Sequence, residues 1–565
     1  MAVAGQILSQ PPVRPALRPD LRPALRHGLR LILATLVLHL VLVQPNHPGA
    51  MTWYALALFP LELPAAILLL LAVGAGPWGR VVRALLVAAV MTIAVLKTAD
   101  FAMQSALTRG FNPVADLALI GAGLNLLRGS IGVGPTILAV LGAVLAVGLV
   151  AAALWWATGV WARVPLRRPG LRGGAAVAAV LAAGVATAEV GATLGRWSLP
   201  FDPPGTAFTA RVGVERWRLA RATLADLHEF EAAARTDPYA DAEGLLDLID
   251  RDVIVVFIES YGRTSFDTPL FADLHPATLA AGEADLAARG LSMASGFLRS
   301  PTRGGQSWLA HASFANGLWV DGQTRYGAAL ASGRQTLYHL AQDAGFHTAA
   351  VMPQITLDWP ESLVMGFDTI LAAADLGYEG LPFNWVTMPD QFTFAAMDRL
   401  LRADAQDRNL FIQVATGTSH APWVPVPEMV DWDAVGDGTI FNEMAAAGDP
   451  PNVVWRDRDR VRAQYRLAVD YALQNVLSYA ARHAEEPPLM IVMGDHQAAG
   501  WIALDERSDV PIHVIGPADL VARVEAWGLA PGLVPPPDAP VLPMDAMRDL
   551  ILEAFSSARD ETGES

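Results

Sequence analysis

The sequence predicts a helical membrane domain followed by a separate α/β domain whose sheet is mostly parallel. Three observations lead there. Apolar residues make up 53% of the 565-residue chain and mean hydropathy is +0.33, high for a chain wholly in water. The excess is concentrated before residue 196, in segments near bilayer length. From about residue 250 the pattern changes to short apolar runs alternating with helical stretches.

Residues 1–27 read as a disordered basic tail on the cytoplasmic side. They are rich in Pro and Arg (Arg14, Arg18, Arg22, Arg26), show no period, and lack the apolar core and cleavage site of a signal peptide. A transmembrane domain follows over 28–198, with about five spans at 28–46, 51–75, 80–99, 133–159 and 173–195. Arginines gather in the tail, in the loop with Arg80 and Arg83, and in the loop with Arg163, Arg167, Arg168 and Arg172, which assigns all three to the cytoplasm. An odd number of spans then places the rest of the chain outside. The expectation is a multi-pass inner-membrane protein with an extracytoplasmic domain. Glu62, within the second span, reads either as a functional carboxyl in lipid or as a helix-paired one near the outer interface. The stretch 100–132 is too polar and Gly-rich to span and reads as an amphipathic surface segment.

A linker over 199–248 carries an amphipathic helix at 209–235, with Val212, Trp217, Leu224 and Phe230 near helical spacing. The α/β domain occupies 249–556 and a flexible C-terminus 557–565. Strands are predicted at 253–258, 291–298, 347–352, 410–414, 489–493 and 512–515. Helices are predicted near 276–289, 307–318, 335–344, 389–402 and 459–483. Strands that are apolar almost throughout, alternating with helices, imply a sheet covered on both faces.

Charge and composition narrow the chemistry. The net charge is −16, with the acids concentrated after residue 200, which argues against a nucleic-acid partner. A phosphate ester remains compatible, because a bound cation supplies local positive charge. The absence of cysteine excludes disulfides, zinc–thiolate sites and cysteine nucleophiles. The one lysine, Lys97, lies in the membrane part, so no lysine serves the α/β domain.

Ligands of open α/β sheets bind beyond the carboxyl ends of the strands. The run 253–258 ends in Glu259-Ser260-Tyr261-Gly262 and the run 489–493 ends in Gly494-Asp495-His496. Together they offer oxygen and nitrogen ligands for Mn²⁺, Zn²⁺ or Mg²⁺. Singly, each is ordinary turn chemistry. Between them, the glycine loop Arg303-Gly304-Gly305-Gln306 leads to Ser307, which opens a helical run ending at Asn316-Gly317. A serine there is either a plain N-cap or a metal-activated nucleophile at a phosphate-receiving helix end. Alongside Glu259, Asp495 and His496, the nucleophile reading is preferred, with Thr302 as fallback.

Glu-Ser-Tyr after the first strand, the hydroxyl of Ser307, Ser419-His420-Ala421-Pro422-Trp423 after the 410–414 strand and Gly494-Asp495-His496 occur in that order. The set resembles the sulfatase-like domain of lipoteichoic acid synthases and related phosphoglycerol transferases, of the alkaline phosphatase superfamily. The resemblance implies one divalent ion, manganese before zinc or magnesium, held by Glu259, Asp495, His496 and the nucleophile Ser307. The family usually has threonine there. It implies His420 as general acid at the leaving group. The stretch where such synthases grip glycerol phosphate keeps Trp359, but Met352, Gln354 and Glu361 stand where His, Asp and Arg are usual. Arg303 reads either as a phosphate clamp or as a solvated loop arginine, the second preferred; His311 is a candidate site-wall residue, Gln354 and Trp359 are candidate substrate contacts, and His513 reads either as a supporting residue or as a satisfied core histidine.

The implied reaction moves a phosphate-containing headgroup from a membrane phospholipid, phosphoglycerol from phosphatidylglycerol, to a glycan or lipid acceptor through a phosphoserine. Three alternatives stay open. A phosphoethanolamine transferase is one, although that group usually depends on disulfides. A sulfatase-like ester hydrolase is another, although Leu309 and His311 depart from the Cys/Ser-x-Pro-x-Arg motif. A non-catalytic membrane sensor or scaffold is the third.

Overall fold

The computed structural model describes residues 21–557 except 108, 118, 167, 241 and 404–407. Arg14, Arg18, Arg167 and the segment 558–565 lie outside the described residues. The chain divides into two compact units near residue 222, with 114–118 belonging to the second.

The first unit is helical: α1 (Leu21–Leu42), α2 (Glu62–Val73), α3 (Pro77–Leu107), α4 (Leu119–Ile131), α5 (Val133–Ala162) and α6 (Pro169–Thr193), with α7 (Phe208–Ala234) following. Four of these, over Leu25–Leu42, Pro77–Ser105, Val133–Ala162 and Gly170–Thr193, are long and apolar enough to cross a membrane. The fifth expected span is the short α2, 12 residues, preceded by two 3₁₀ turns. Pro60 and Pro64 interrupt this region and explain why the run from 51 does not form one helix. The tail differs from expectation too. Residues 21–27 are already part of α1. Likewise α3 continues to Leu107, eight residues past the predicted span end at 99. Buried Lys97 donates to the carbonyl of Leu42 (2.9 Å) and to Thr209 Oγ1 (2.7 Å), and Glu62 Oε1 accepts the Ala210 N–H at 2.8 Å. These polar groups are thus paired inside the unit rather than left to lipid.

The second unit is built on one nine-stranded sheet in the order β4-β3-β5-β1-β6-β7-β2-β8, with β9 beside β2. The strands are β1 (Val253–Ile258), β2 (Ser292–Arg299), β3 (His347–Met352), β4 (Thr369–Ala372), β5 (Leu410–Ala415), β6 (Leu489–Gly494), β7 (Asp509–Gly516), β8 (Ala530–Pro531) and β9 (Val541–Pro543). The pairs β3–β4, β3–β5, β5–β1, β1–β6 and β2–β9 are parallel, while β7 runs antiparallel to both β6 and β2. All six residues of β1 are buried, and alternation assigns them to two cores. Ile254, Val256 and Ile258 join one apolar cluster, while Val253, Val255 and Phe257 join the other. A strand with no polar position is therefore the consequence of helices covering both faces.

Candidate active site and metal centre

Parallel register assembles the acidic cluster. Ile258 pairs with Gly494, so the next residues of β1 and β6, Glu259 and Asp495, leave the same sheet edge side by side. Gly494 is required: a Cβ there would lie 1.8 Å from the carbonyl oxygen of Tyr261. Phe257 pairs with Ala415 on the other side, which brings the segment after β5 to the same edge. There Ser419 Oγ donates to the Glu259 carbonyl at 2.6 Å.

Backbone conformation then aims the side chains. Ser260 has φ +58°, and its N–H donates to Asp495 Oδ1 at 2.8 Å, while its hydroxyl donates to Glu259 Oε1 at 2.9 Å. Buried Tyr465 donates to the Ser260 carbonyl at 2.8 Å and clamps this left-handed turn. The loop before Ser307 has the same character: Gly304, Gly305 and Gln306 have φ of +71°, +137° and +68°. Gln306 is the N-cap, so Ser307 is the first residue of the helix Ser307–Asn316. Ser307 Oγ donates to Glu259 Oε2 at 2.9 Å, so the hydroxyl faces the carboxylate cluster and is not the cap.

Glu259, Asp495 and His496 place one ligand atom each within 4.8 Å of one another. His496 Nδ1 donates to the Gln497 carbonyl at 3.0 Å, which leaves Nε2 turned to Glu259 Oε1 at 3.2 Å and Asp495 Oδ1 at 4.0 Å. That Nε2 is buried and makes no hydrogen bond of acceptable geometry. A buried orphan nitrogen facing two carboxylates is the donor set of a divalent cation. The charges agree. Burial raises the Glu259 carboxyl, but His496 beside it wins and holds it well below the usual range. Burial and then the Glu259 charge push Asp495 up. Burial lowers His496, but Asp495 and Glu259 outweigh it and push the imidazole up. Both Asp495 and His496 are shifted toward holding protons, the positive charge a dication would supply. The residues fit such an ion, with Ser307 Oγ beside them.

Glu259, Asp495 and Ser307 line a cavity of about 590 Å³. His420, Gln354, Trp359 and His311 line it, as do Met352 and Glu361. His311 packs on Phe257 with ring centroids 4.1 Å apart, and burial pushes it down to about 4. His420 is exposed, with Nδ1 2.6 Å from the Ala421 carbonyl. Arg303 is not in the cavity wall, and its guanidinium meets the Glu506 carboxylate at 2.6 Å. The Thr302 hydroxyl donates to the Gly305 carbonyl at 2.5 Å, and Thr302 is not among the cavity's lining residues. His513 is buried in β7, with Nε2 3.1 Å from the Tyr261 hydroxyl, and does not line the cavity.

Sequence reasoning missed several supports. Asp390 is fully buried and accepts from the backbone of Gly417 (2.7 Å) and Thr418 (2.9 Å), fixing the loop that leads to His420. Burial pushes Asp390 up to about 6. Thr416, which accepts the Glu259 N–H at 3.4 Å, was missed as well. The hydroxyl run Thr416-Gly417-Thr418-Ser419 after an apolar strand was the available signal; nothing local singles out Asp390.

Residues 251–501 match the sulfatase family. No curated protein matches the sequence. Among solved structures, the lipoteichoic acid synthase LtaP from Listeria monocytogenes is 13% identical, with 59% of this chain and 78% of that one covered at TM-score 0.35. The Streptococcus pyogenes phosphoglycerol transferase GacH is 12% identical over 60% of this chain and 94% of that one, TM-score 0.33. The lipooligosaccharide phosphoethanolamine transferase A (EptA) of Neisseria meningitidis is 12% identical over 95% and 97%, TM-score 0.41. The stretch that matches the sulfatase family contains Glu259, Ser307, His420, Asp495 and His496.

Proposed function

We propose that the chain is a membrane-bound, metal-dependent transferase that moves a phosphate-bearing headgroup from a membrane phospholipid to a hydroxyl of a glycan or lipid on the extracytoplasmic side. The observation that carries this reading is the hydroxyl of Ser307 held 2.9 Å from Glu259 at a cluster of two carboxylates and an orphan imidazole nitrogen. Four helices long and apolar enough for a bilayer, in the same chain, support a lipid donor.

Glu259, Asp495 and His496 would hold a divalent ion, which would lower the pKa of the neighbouring hydroxyl and neutralise phosphoryl oxygens. Ser307 sits at the start of its helix, where free N–H groups and the positive dipole end receive those oxygens. Its Oγ attacks phosphorus and loses its proton toward Glu259 Oε2. The P–O bond to diacylglycerol breaks, and the leaving alkoxide takes a proton. His420 is the donor: its Nδ1 is tied to the Ala421 carbonyl and its Nε2 is left to hand the proton on. In the second half, an acceptor hydroxyl gives its proton to His420 and attacks phosphorus, the P–O bond to Ser307 breaks, and Oγ takes back the proton held by Glu259. Met352, Gln354 and Trp359 form the headgroup wall. Phosphoglycerol follows from the resemblance alone; the wall offers glycerol phosphate neither arginine nor lysine among the described residues.

The test is mass spectrometry of purified protein incubated with lipid extract. The Ser307 peptide should gain a headgroup phosphate while diacylglycerol is released, and Ser307→Ala should do neither. An unmodified Ser307 in an active preparation, or an active Ser307→Ala, contradicts the reading.

A further inference from the structure

The cavity has a second acidic feature away from the metal cluster. Among the described residues its wall holds neither arginine nor lysine; its nitrogens able to carry charge belong to His311 and His420. Burial pushes His311 down to about 4, which keeps it neutral near pH 7. Against these, the lining holds the carboxylate of Glu361, together with Trp308, Tyr326 and Trp359. Tyr326 is 5% exposed and is pushed up to about 12, by burial first and then by the Glu361 charge, so carboxylate and phenol lie within electrostatic reach. Trp308 is fixed in the wall by its indole N–H, which donates to Gln323 at 3.1 Å.

The charge count decides what fits. Two positive charges from the ion face two negative ones from Glu259 and Asp495, since the Ser307 proton passes to Glu259 and stays in the cluster. A phosphodiester adds a third and Glu361 a fourth. A neutral glycerol headgroup leaves Glu361 confronting that excess with nothing to pair. An ammonium beside Glu361 offsets it, and aromatic rings around an ammonium add cation–π attraction. We propose that Glu361, with Trp308, Tyr326 and Trp359, is a subsite for the ammonium of the lipid headgroup, so that the group transferred is an aminoalkyl phosphate. This rests on the headgroup-transfer reading for its place in the reaction, and it departs from phosphoglycerol.

The test separates the two. Full-length Ser307→Ala protein in detergent, loaded with Mn²⁺, is titrated with O-phosphoethanolamine and with sn-glycerol 3-phosphate. Phosphoethanolamine should bind about tenfold tighter, a preference of the size one desolvated cation contact supplies. Glu361→Gln should erase the preference, and Glu361→Arg should reverse it. Equal affinities, tighter glycerol phosphate, or an unchanged preference in Glu361→Gln overturns the subsite. In parallel, wild-type protein is given phosphatidylethanolamine vesicles or phosphatidylglycerol vesicles. Diacylglycerol release from the first and not the second supports the subsite, and the reverse order overturns it. Preference in binding with no release from either lipid leaves the subsite standing and removes the transfer reading.

Discussion

The two ends of the active-site cavity are built in different ways. At the metal end every side chain is fixed by the sheet or by a buried hydrogen bond. Parallel register aligns Glu259 with Asp495, Tyr465 and Ser419 hold the turn after β1, and the Gln497 carbonyl sets the His496 tautomer. At the headgroup end, Gln354, Trp359 and Glu361 sit beyond β3 in loop and 3₁₀ turn, and Gln354 is tethered by one contact of 3.3 Å to Thr387. In the proposed function, chemistry thus falls to the rigid edge of the sheet and headgroup recognition to connecting segments.

The largest effects should break the rigid end alone. Glu259→Gln should weaken divalent-metal binding by about 100-fold or more, measured by chelator competition, whereas Gln354→Ala should leave it unchanged. Equal losses from both would erase the distinction. His420→Ala should lower turnover by about 10²- to 10⁴-fold without loss of metal, and the deficit should shrink for a substrate whose leaving group needs no proton. A deficit independent of the leaving group would remove its role as acid.

Asp390 tests whether the loop leading to His420 belongs to the rigid end. Its carboxyl is raised to about 6 from 3.8, so the folded protein holds this proton longer than the unfolded chain. The stability it contributes is fully present below the unfolded value and is lost as pH rises from about 4 to about 6. Asp390→Asn keeps the oxygen that accepts from Gly417 and Thr418 but cannot ionise. Relative to it, the wild type should lose on the order of 3 kcal/mol across that window, read by denaturant unfolding at both pH values. Parallel pH profiles would place the group in water. The smallest effect belongs to Arg303→Ala. Its partner Glu506 is 78% exposed, so stability should move by less than about 0.5 kcal/mol and activity should not change. A large activity loss would return Arg303 to the substrate.

The same contrast explains what could be read from the amino-acid sequence. Apolar runs that end in Glu259 and in Asp495-His496 were legible because a strand buried on both faces leaves no other pattern, and the residue after it must meet the sheet edge. β4, β8 and β9 went unseen: they are two to four residues long, and partners distant in sequence create them. The break in the second apolar run was signalled by Pro60 and Pro64, and composition alone hid it. The direction of Arg303 could not be read, because three consecutive positive-φ residues follow it in a loop where no periodicity applies. Asp390 carried no signal at all, since its partners Gly417 and Thr418 are backbone groups brought near by tertiary packing.

The most direct measurement is anomalous X-ray diffraction from crystals of the protein grown with Mn²⁺, collected at the manganese edge. One peak is predicted about 2.0–2.2 Å from Glu259, Asp495 and His496 Nε2, with Ser307 Oγ in its coordination sphere. No peak at the end of β1 and β6, or one that Ser307 does not reach, would contradict the account.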